Sequence, residues 1–319
     1  MDAGPYAGCG GFCATVPLAR IAAMGTRTRR TAYVLLADPS YLRESIGAYY
    51  DRVDRIVVSY DRSHTSWTGT PLPLQQCLRL ISDLDRDSKM VLAPGDFARP
   101  GETGLANDTH QRQVALDQAS EGSDWVLQLD TDEVMVSPDV FFDMLNRAES
   151  AGARGLDFPS RWLYTRTGPG RYLEVTRRFW GVAASYPGPL AVRAGTTLRH
   201  ARQADIDLFR VDFAPRNTDP WRPPDAEVHA VITPDKGVLH FSWVREPDVI
   251  KRKFGWSGHS EHMQPPEVYR RWVWRTRHPL LTAVTTPLRR RDDGRYRLSR
   301  IPEPPGGEPI RVIADGETV

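Results

Sequence analysis

What most constrains this chain is an alternation, starting at Arg30, of short β-branched runs with amphipathic stretches. Strands separated by helices in this way pack as crossover units on a mainly parallel sheet, because each helix must carry the chain back to the same end. Thr31 to Ala37 (TAYVLLA) reads as a buried strand, and Ser40 then starts a helix to about Tyr50. Arg55 to Ser59 is a second strand, and Leu74, Cys77, Leu78, Ile81 and Leu84 follow at helical spacing. Lys89 to Leu92 gives a third strand, the loop from Pro94 to Gly104 intervenes, and Asp108 to Ala119 gives a third helix. Asp124 to Leu129 is a fourth strand that ends in Asp130-Thr131-Asp132-Glu133. Ser137 before Pro138 starts a helix to about Ser150, with Pro at the first helical position. The expected fold class is α/β, a Rossmann-like, mainly parallel central sheet with helices on both faces.

Beyond Gly155 the periodicity weakens while aromatic, Pro and Gly residues accumulate. Strands are expected near Leu156 to Phe158 and Val238 to Trp243, with helices near Pro247 to Trp256 and Pro266 to Trp274. The expected organisation is an N-terminal extension over 1–29, a binding half over 30–150, a loop-rich half of the same domain over 151–288, and a C-terminal arm over 289–319 whose PEPPGGEP core favours partial disorder. Composition narrows the function. Forty-two Lys and Arg against forty Asp and Glu leave no basic field for nucleic acid. No apolar run approaches the length of a spanning helix. Cys9, Cys13 and Cys77 are too few and too unevenly spaced for a disulfide framework or a four-ligand zinc site, and the stretch from Ala14 to Met24 is broken by Pro17 and Arg20. A cytoplasmic location is expected.

Ligands of open α/β sheets bind beyond the carboxyl ends of the strands, where Asp130 and Asp132 fall. Two carboxylates one residue apart can turn toward one hard cation and leave positions open for phosphate oxygens. The same pair also suits an acidic turn before the next helix.

The segment THQRQVALDQASEGSDWVLQLDTDEVM, ending at Met135, resembles the nucleotide-sugar-binding segment of GT-A-fold glycosyltransferases, especially family-2-like members whose fourth strand ends in DxDE. YVLLADPS and RIVVSYDRS resemble that family's two earlier nucleotide-contacting strand ends, which brings Ala37 and Asp61 into the donor site. The resemblance is good from about residue 30 to 150 and partial afterwards. It implies Mn²⁺ or Mg²⁺, a nucleoside diphosphate sugar donor, and transfer to an acceptor held by the second half. It places Asp61 at the base or ribose, Arg112 facing the nucleotide, Asp132 on the metal, and Asp130 at the ribose or metal. It also expects a late histidine to complete the metal site, and His240 in VLHFSW stands there. The residues alone allow plainer roles: a turn-forming Asp61, an exposed helical Arg112, a hydrogen-bonded structural His240.

Lys251, Arg252 and Lys253, followed by Trp256 and His259, could close over a diphosphate, with Lys251 and Lys253 on the donor, or form an ordinary basic helix face. An inverting transfer, the expected stereochemistry, needs a base for the acceptor hydroxyl. Several relatives have a His-Glu pair where this chain has His229-Ala230, so Glu227, His229, Asp205 and Asp207 are the candidates. Trp162 to Tyr186 is the expected acceptor region, and the acceptor is expected to be a small, lipid-linked or secondary-metabolite molecule. Two other readings are weighed. LQLDTDEV fits the opening motif of haloacid-dehalogenase-type phosphohydrolases, with Asp130 as nucleophile and Asp292 and Asp293 as the late acids, although that motif usually ends the first strand. Ala230 allows a nucleotide-sugar-binding module without turnover.

Overall fold

A computed structural model describes residues 27–256, 265–286 and 294–302. The N-terminal extension up to residue 26, with Cys9 and Cys13, His259, the pair Asp292 and Asp293, and the tail after residue 302 lie outside the described residues.

The first half follows the alternation: β1 (Arg30–Leu35), α1 (Leu42–Tyr49), β2 (Arg55–Asp61), α2 (Leu74–Leu84), β3 (Met90–Gly95), α3 (Gly104–Ser120), β4 (Trp125–Leu127), β5 (Glu133–Met135) and α4 (Pro138–Ser150). The second half adds β6 (Gly155–Asp157), β7 (Ser160–Gly168), β8 (Arg171–Val175), β9 (Ala191–Arg193), β10 (Leu208–Phe213), β11 (Ala230–Ile232), β12 (Val238–His240), α5 (Pro247–Trp256), α6 (Pro265–Arg277), α7 (Pro279–Thr285) and β13 (Tyr296–Arg300). An eight-stranded sheet runs β11-β10-β6-β9-β4-β1-β2-β3 and is parallel except for β9, which is antiparallel to both neighbours. A second sheet runs β13-β8-β7-β12-β5.

Side-chain alternation on β1 explains the layering. Ala32 and Val34 pack with Leu42 and Ile46 of α1, Leu74, Cys77 and Ile81 of α2, and Phe141 and Leu145 of α4. Tyr33 and Leu35 point the other way, to Ala115, Leu116 and Ala119 of α3. Helices therefore cover both faces of a mostly parallel sheet, as expected. Two local readings are corrected. Ser40 does not cap α1; its N–H and hydroxyl both donate to Asp38 Oδ1, and Tyr41 holds the cap position. β4 stops at Leu127, and the chain crosses from there into β5 of the second sheet, so the acidic segment spans two sheets instead of trailing one strand.

Cys77 is fully buried, and burial, with Asp38 nearby, pushes its thiol up to about 12. The native protein should therefore leave Cys77 unalkylated by iodoacetamide at neutral pH, and denaturant should expose it, as read by mass spectrometry of its peptide.

Candidate active site at the sheet crossing

Helix α3 shows how sequence places a polar site. Thr103 caps it by accepting from Ala106 N–H at 3.1 Å. Along one face, Asp108, Gln111 and Arg112 precede Ala115, Leu116 and Ala119, all buried, so the same stripe covers the cavity first and the sheet afterwards. Arg112 Nε meets Asp108 Oδ1 at 2.6 Å and its Nη2 meets Asp130 Oδ1 at 2.9 Å. Burial lowers the Arg112 affinity for its proton, but Asp108 and Asp130 outweigh it and keep the guanidinium charged.

Asp130 is also approached by Arg202 Nη1 at 3.8 Å. Burial opposes its ionisation, yet Arg112 and Arg202 hold its carboxyl below the ordinary value. Arg202 itself is buried and grips Glu133 through two contacts, at 2.6 and 2.5 Å, while Asp130 N–H donates to Glu133 Oε2 at 3.0 Å. Glu133 thus ties down the turn that carries both aspartates.

Asp132 draws on the opposite side of the crevice. Its Oδ2 accepts from Lys253 Nζ of α5 at 2.8 Å and from Arg245 Nη2 at 3.1 Å; His240 Nε2, at the end of β12, lies 3.6 Å from Oδ1. Burial would raise its pKa, but Lys253, His240 and Arg245 drive it far below the ordinary carboxylate range. Arg245 is shared with Asp38, whose Oδ2 accepts from Nε at 2.6 Å. His240 Nδ1 is buried without a hydrogen-bond partner.

Asp61, at the end of β2, accepts from Ser63 N–H (2.9 Å), Thr65 hydroxyl (3.1 Å), Phe97 N–H (2.8 Å) and Ala98 N–H (3.1 Å). Burial opposes ionisation there, and the Phe97 and Ala98 N–H groups with Thr65 hold it below its ordinary value. The carboxylate organises two loops at the cavity rim.

Asp38, Asp61, Asp108, Arg112, Asp130, Asp132, Arg202, His240, Arg245 and Lys253 line one cavity of about 260 Å³, with Glu133 behind its wall. Of the residues nominated from sequence, Ala37, Asp61, Arg112, Asp130, Asp132, His240 and Lys253 meet there. Lys251 does not; it is exposed, with Nζ 6.0 Å from the Tyr269 ring. The four base candidates also stand elsewhere. Asp205 is exposed and paired with Arg199 at 3.3 Å, Asp207 is exposed, and Glu227 lies 3.6 Å from His229, whose Nδ1 accepts from Arg210 N–H. Sequence reading missed Asp38, Arg202, Glu133 and Arg245. Arg202 and Arg245 sit in turns with no periodicity, and only the short steps from Glu133 to the aspartates and from Arg245 to Lys253 hinted at a shared site. The acids that do line the cavity, Asp38, Asp61, Asp108, Asp130 and Asp132, are each engaged by a cation or by backbone donors.

No family model matches the chain, and no curated protein does. Among solved structures it is similar to a 4-diphosphocytidyl-2C-methyl-D-erythritol synthase from Anaerococcus prevotii (10% identity, TM-score 0.28, 52% of this chain and 70% of that one). It is also similar to a mannose-1-phosphate geranyltransferase from Thermus thermophilus (13%, 0.29, 53% and 51%) and to a mannose-6-phosphate isomerase from Helicobacter pylori (9%, 0.26, 49% and 58%). The chain spans little more than half the length of the latter two. Among the described residues, no helix is long and apolar enough to cross a membrane.

Proposed function

We propose that this chain is a metal-dependent glycosyltransferase of the GT-A, family-2-like kind, moving a sugar from a UDP- or GDP-sugar to an acceptor hydroxyl with inversion. The observation that carries this reading is convergence. Residues from the ends of β1 and β2, from α3, from the segment after β4, from β12 and from α5 line one cavity at the carboxyl ends of the parallel strands.

Among the described residues no group of three or more His, Cys, Asp and Glu could hold a metal unaided. The donor chemistry nonetheless fits a cation shared with its substrate. Asp132 Oδ1 and His240 Nε2 face each other 3.6 Å apart, and Mg²⁺ or Mn²⁺ commonly takes one or two protein ligands and completes its shell with phosphate and water. Such an ion supplies charge neutralisation for the diphosphate. The chain's own part is to surround that diphosphate with Arg112, Arg202, Arg245 and Lys253, and to set Asp61 and its two loops against the nucleoside. Because the cavity's acids are all engaged and Glu227, His229, Asp205 and Asp207 do not line it, the acceptor proton passes to a water on the acceptor side, opposite the departing diphosphate.

A screen of UDP- and GDP-sugars by thermal shift tests this. The right donor with Mn²⁺ at about 100 times its Kd should stabilise the fold by about 2.7 kcal/mol, and less without Mn²⁺. No shift with any donor would sink the proposal. A second reading, a binding module without turnover, is favoured by the position of the four base candidates away from the cavity; it expects the same shift with no donor consumed.

A further inference from the structure

A second cavity, of about 300 Å³, adjoins the first along the second sheet. Its floor includes Trp162 of β7, Val175 of β8 and Tyr296 of β13, the last two being register partners. Val268, Arg271 and Arg275 line it from α6, spaced to share one helix face. Trp162 is the border. It pairs in register with His240, and the two rings stack with centroids 6.4 Å apart and planes 22° apart. His240 lines the first cavity and Trp162 the second. Each carries a buried nitrogen without a hydrogen-bond partner, His240 Nδ1 and Trp162 Nε1.

The lining chemistry is selective. Five aromatic side chains, Trp162, Tyr164, Trp221, Trp243 and Tyr296, contribute to it, with Trp162 edge-on to Trp243 at 5.9 Å. Among the described residues, two guanidinium groups line it and no Asp, Glu, Asn or Gln does; Arg275 Nη1 also donates to the Tyr296 hydroxyl at 2.9 Å. A sugar would bring several hydroxyl donors to a surface with few side-chain acceptors. A flat ring bearing one anionic group fits better: π faces receive the ring, guanidinium groups the charge.

We infer that this cavity binds a small hydroxylated aromatic acid, and, resting on the glycosyltransferase reading, that this is the acceptor. The carboxylate lies toward Arg271 and Arg275, and the hydroxyl toward Trp162 and His240 at the border. In transfer, the acceptor oxygen bonds the anomeric carbon, the bond from that carbon to the phosphate oxygen breaks with its electron pair going to the phosphate, and the acceptor proton passes to a water on the side opposite the departing nucleoside diphosphate.

Calorimetric titration of the full chain, without nucleotide, tests the site with para-hydroxybenzoate, para-hydroxybenzyl alcohol and glucose as probes. Para-hydroxybenzoate should saturate one site. Arg271→Gln, at an exposed position, should weaken it about tenfold and leave the alcohol unchanged, since a hydrogen bond to a charged group is being removed. Trp221→Ala, which removes a ring 82% exposed at the rim, should weaken both aromatic probes about threefold or more. Asp132→Ala should bind para-hydroxybenzoate as before while losing sugar transfer; a wild-type chain that binds para-hydroxybenzoate but glycosylates it from no nucleotide sugar would count against the transferase reading and not against this cavity. No saturable binding, preference for glucose, or affinity untouched by both the Arg271 and Trp221 variants would overturn the inference.

Discussion

Asp132→Ala should lower metal-dependent consumption of a nucleotide sugar by at least about a hundredfold, the scale on which a single preorganised electrostatic group acts. The substitution removes the one carboxylate on which Lys253, Arg245 and His240 converge. It should also destabilise the fold by about 3 kcal/mol, because Arg245 is almost fully buried and keeps, among the described residues, only Asp38 as a charged partner. The two effects separate by measuring turnover at a temperature where the variant's unfolding curve shows it folded; undiminished turnover there would exclude a role for Asp132. The stability effect has a defined pH dependence. The folded carboxyl titrates below its unfolded value of about 3.9, so its stabilisation is fully present above that pH and fades as pH falls toward the folded pKa. The gap between wild type and variant in urea should thus be level from about pH 5 to 8 and narrow below about pH 4.

Glu133→Ala should cost about 3 kcal/mol, a large share of the stability of an ordinary domain, because it takes from the buried Arg202 guanidinium its only close carboxylate among the described residues. Glu133 is fully buried and the Arg202 side chain is 2% exposed. Arg202 keeps Gln128 O at 2.9 Å, which satisfies one donor, and its longer contact with Asp130, at 3.8 Å. Replacing both, Glu133→Leu with Arg202→Met, should recover much of that loss, since an apolar pair of similar volume has no charge to desolvate. The double variant should still bind a nucleotide sugar poorly. Asp130 N–H loses its acceptor at Glu133 Oε2, and Asp130 loses one of its two cations. Chemical denaturation and donor titration on the three proteins read these outcomes, and a double variant no more stable than Glu133→Ala would contradict the argument.

The strands of the first half were legible because a strand buried on both faces is written as an unbroken apolar run, as in TAYVLLA. The second half was not. β7 and β8 form a hairpin around Gly168 and Gly170, and its inward positions mix Trp162, Tyr164 and Glu174 with aliphatic residues, which hides the two-residue period. Glu174 is buried there only because Arg161 and Arg297 pair with it, a fact of tertiary approach. The site divides the same way. Asp130, Asp132 and Arg112 stand where a strand end and a helix face put them, whereas Arg202 and Arg245 lie in turns whose partners are distant in sequence.

Asp130 and Asp132, two residues apart, take their cations from different layers. Arg112 belongs to the helix on the eight-stranded sheet, while Arg245 and Lys253 follow β12 of the five-stranded one. Thr131 is therefore the midpoint of a joint, and the crevice width is a coordinate of the whole molecule. Any sliding of one sheet past the other changes the separation of the two cation sets, and a ligand that bridges them resists that sliding.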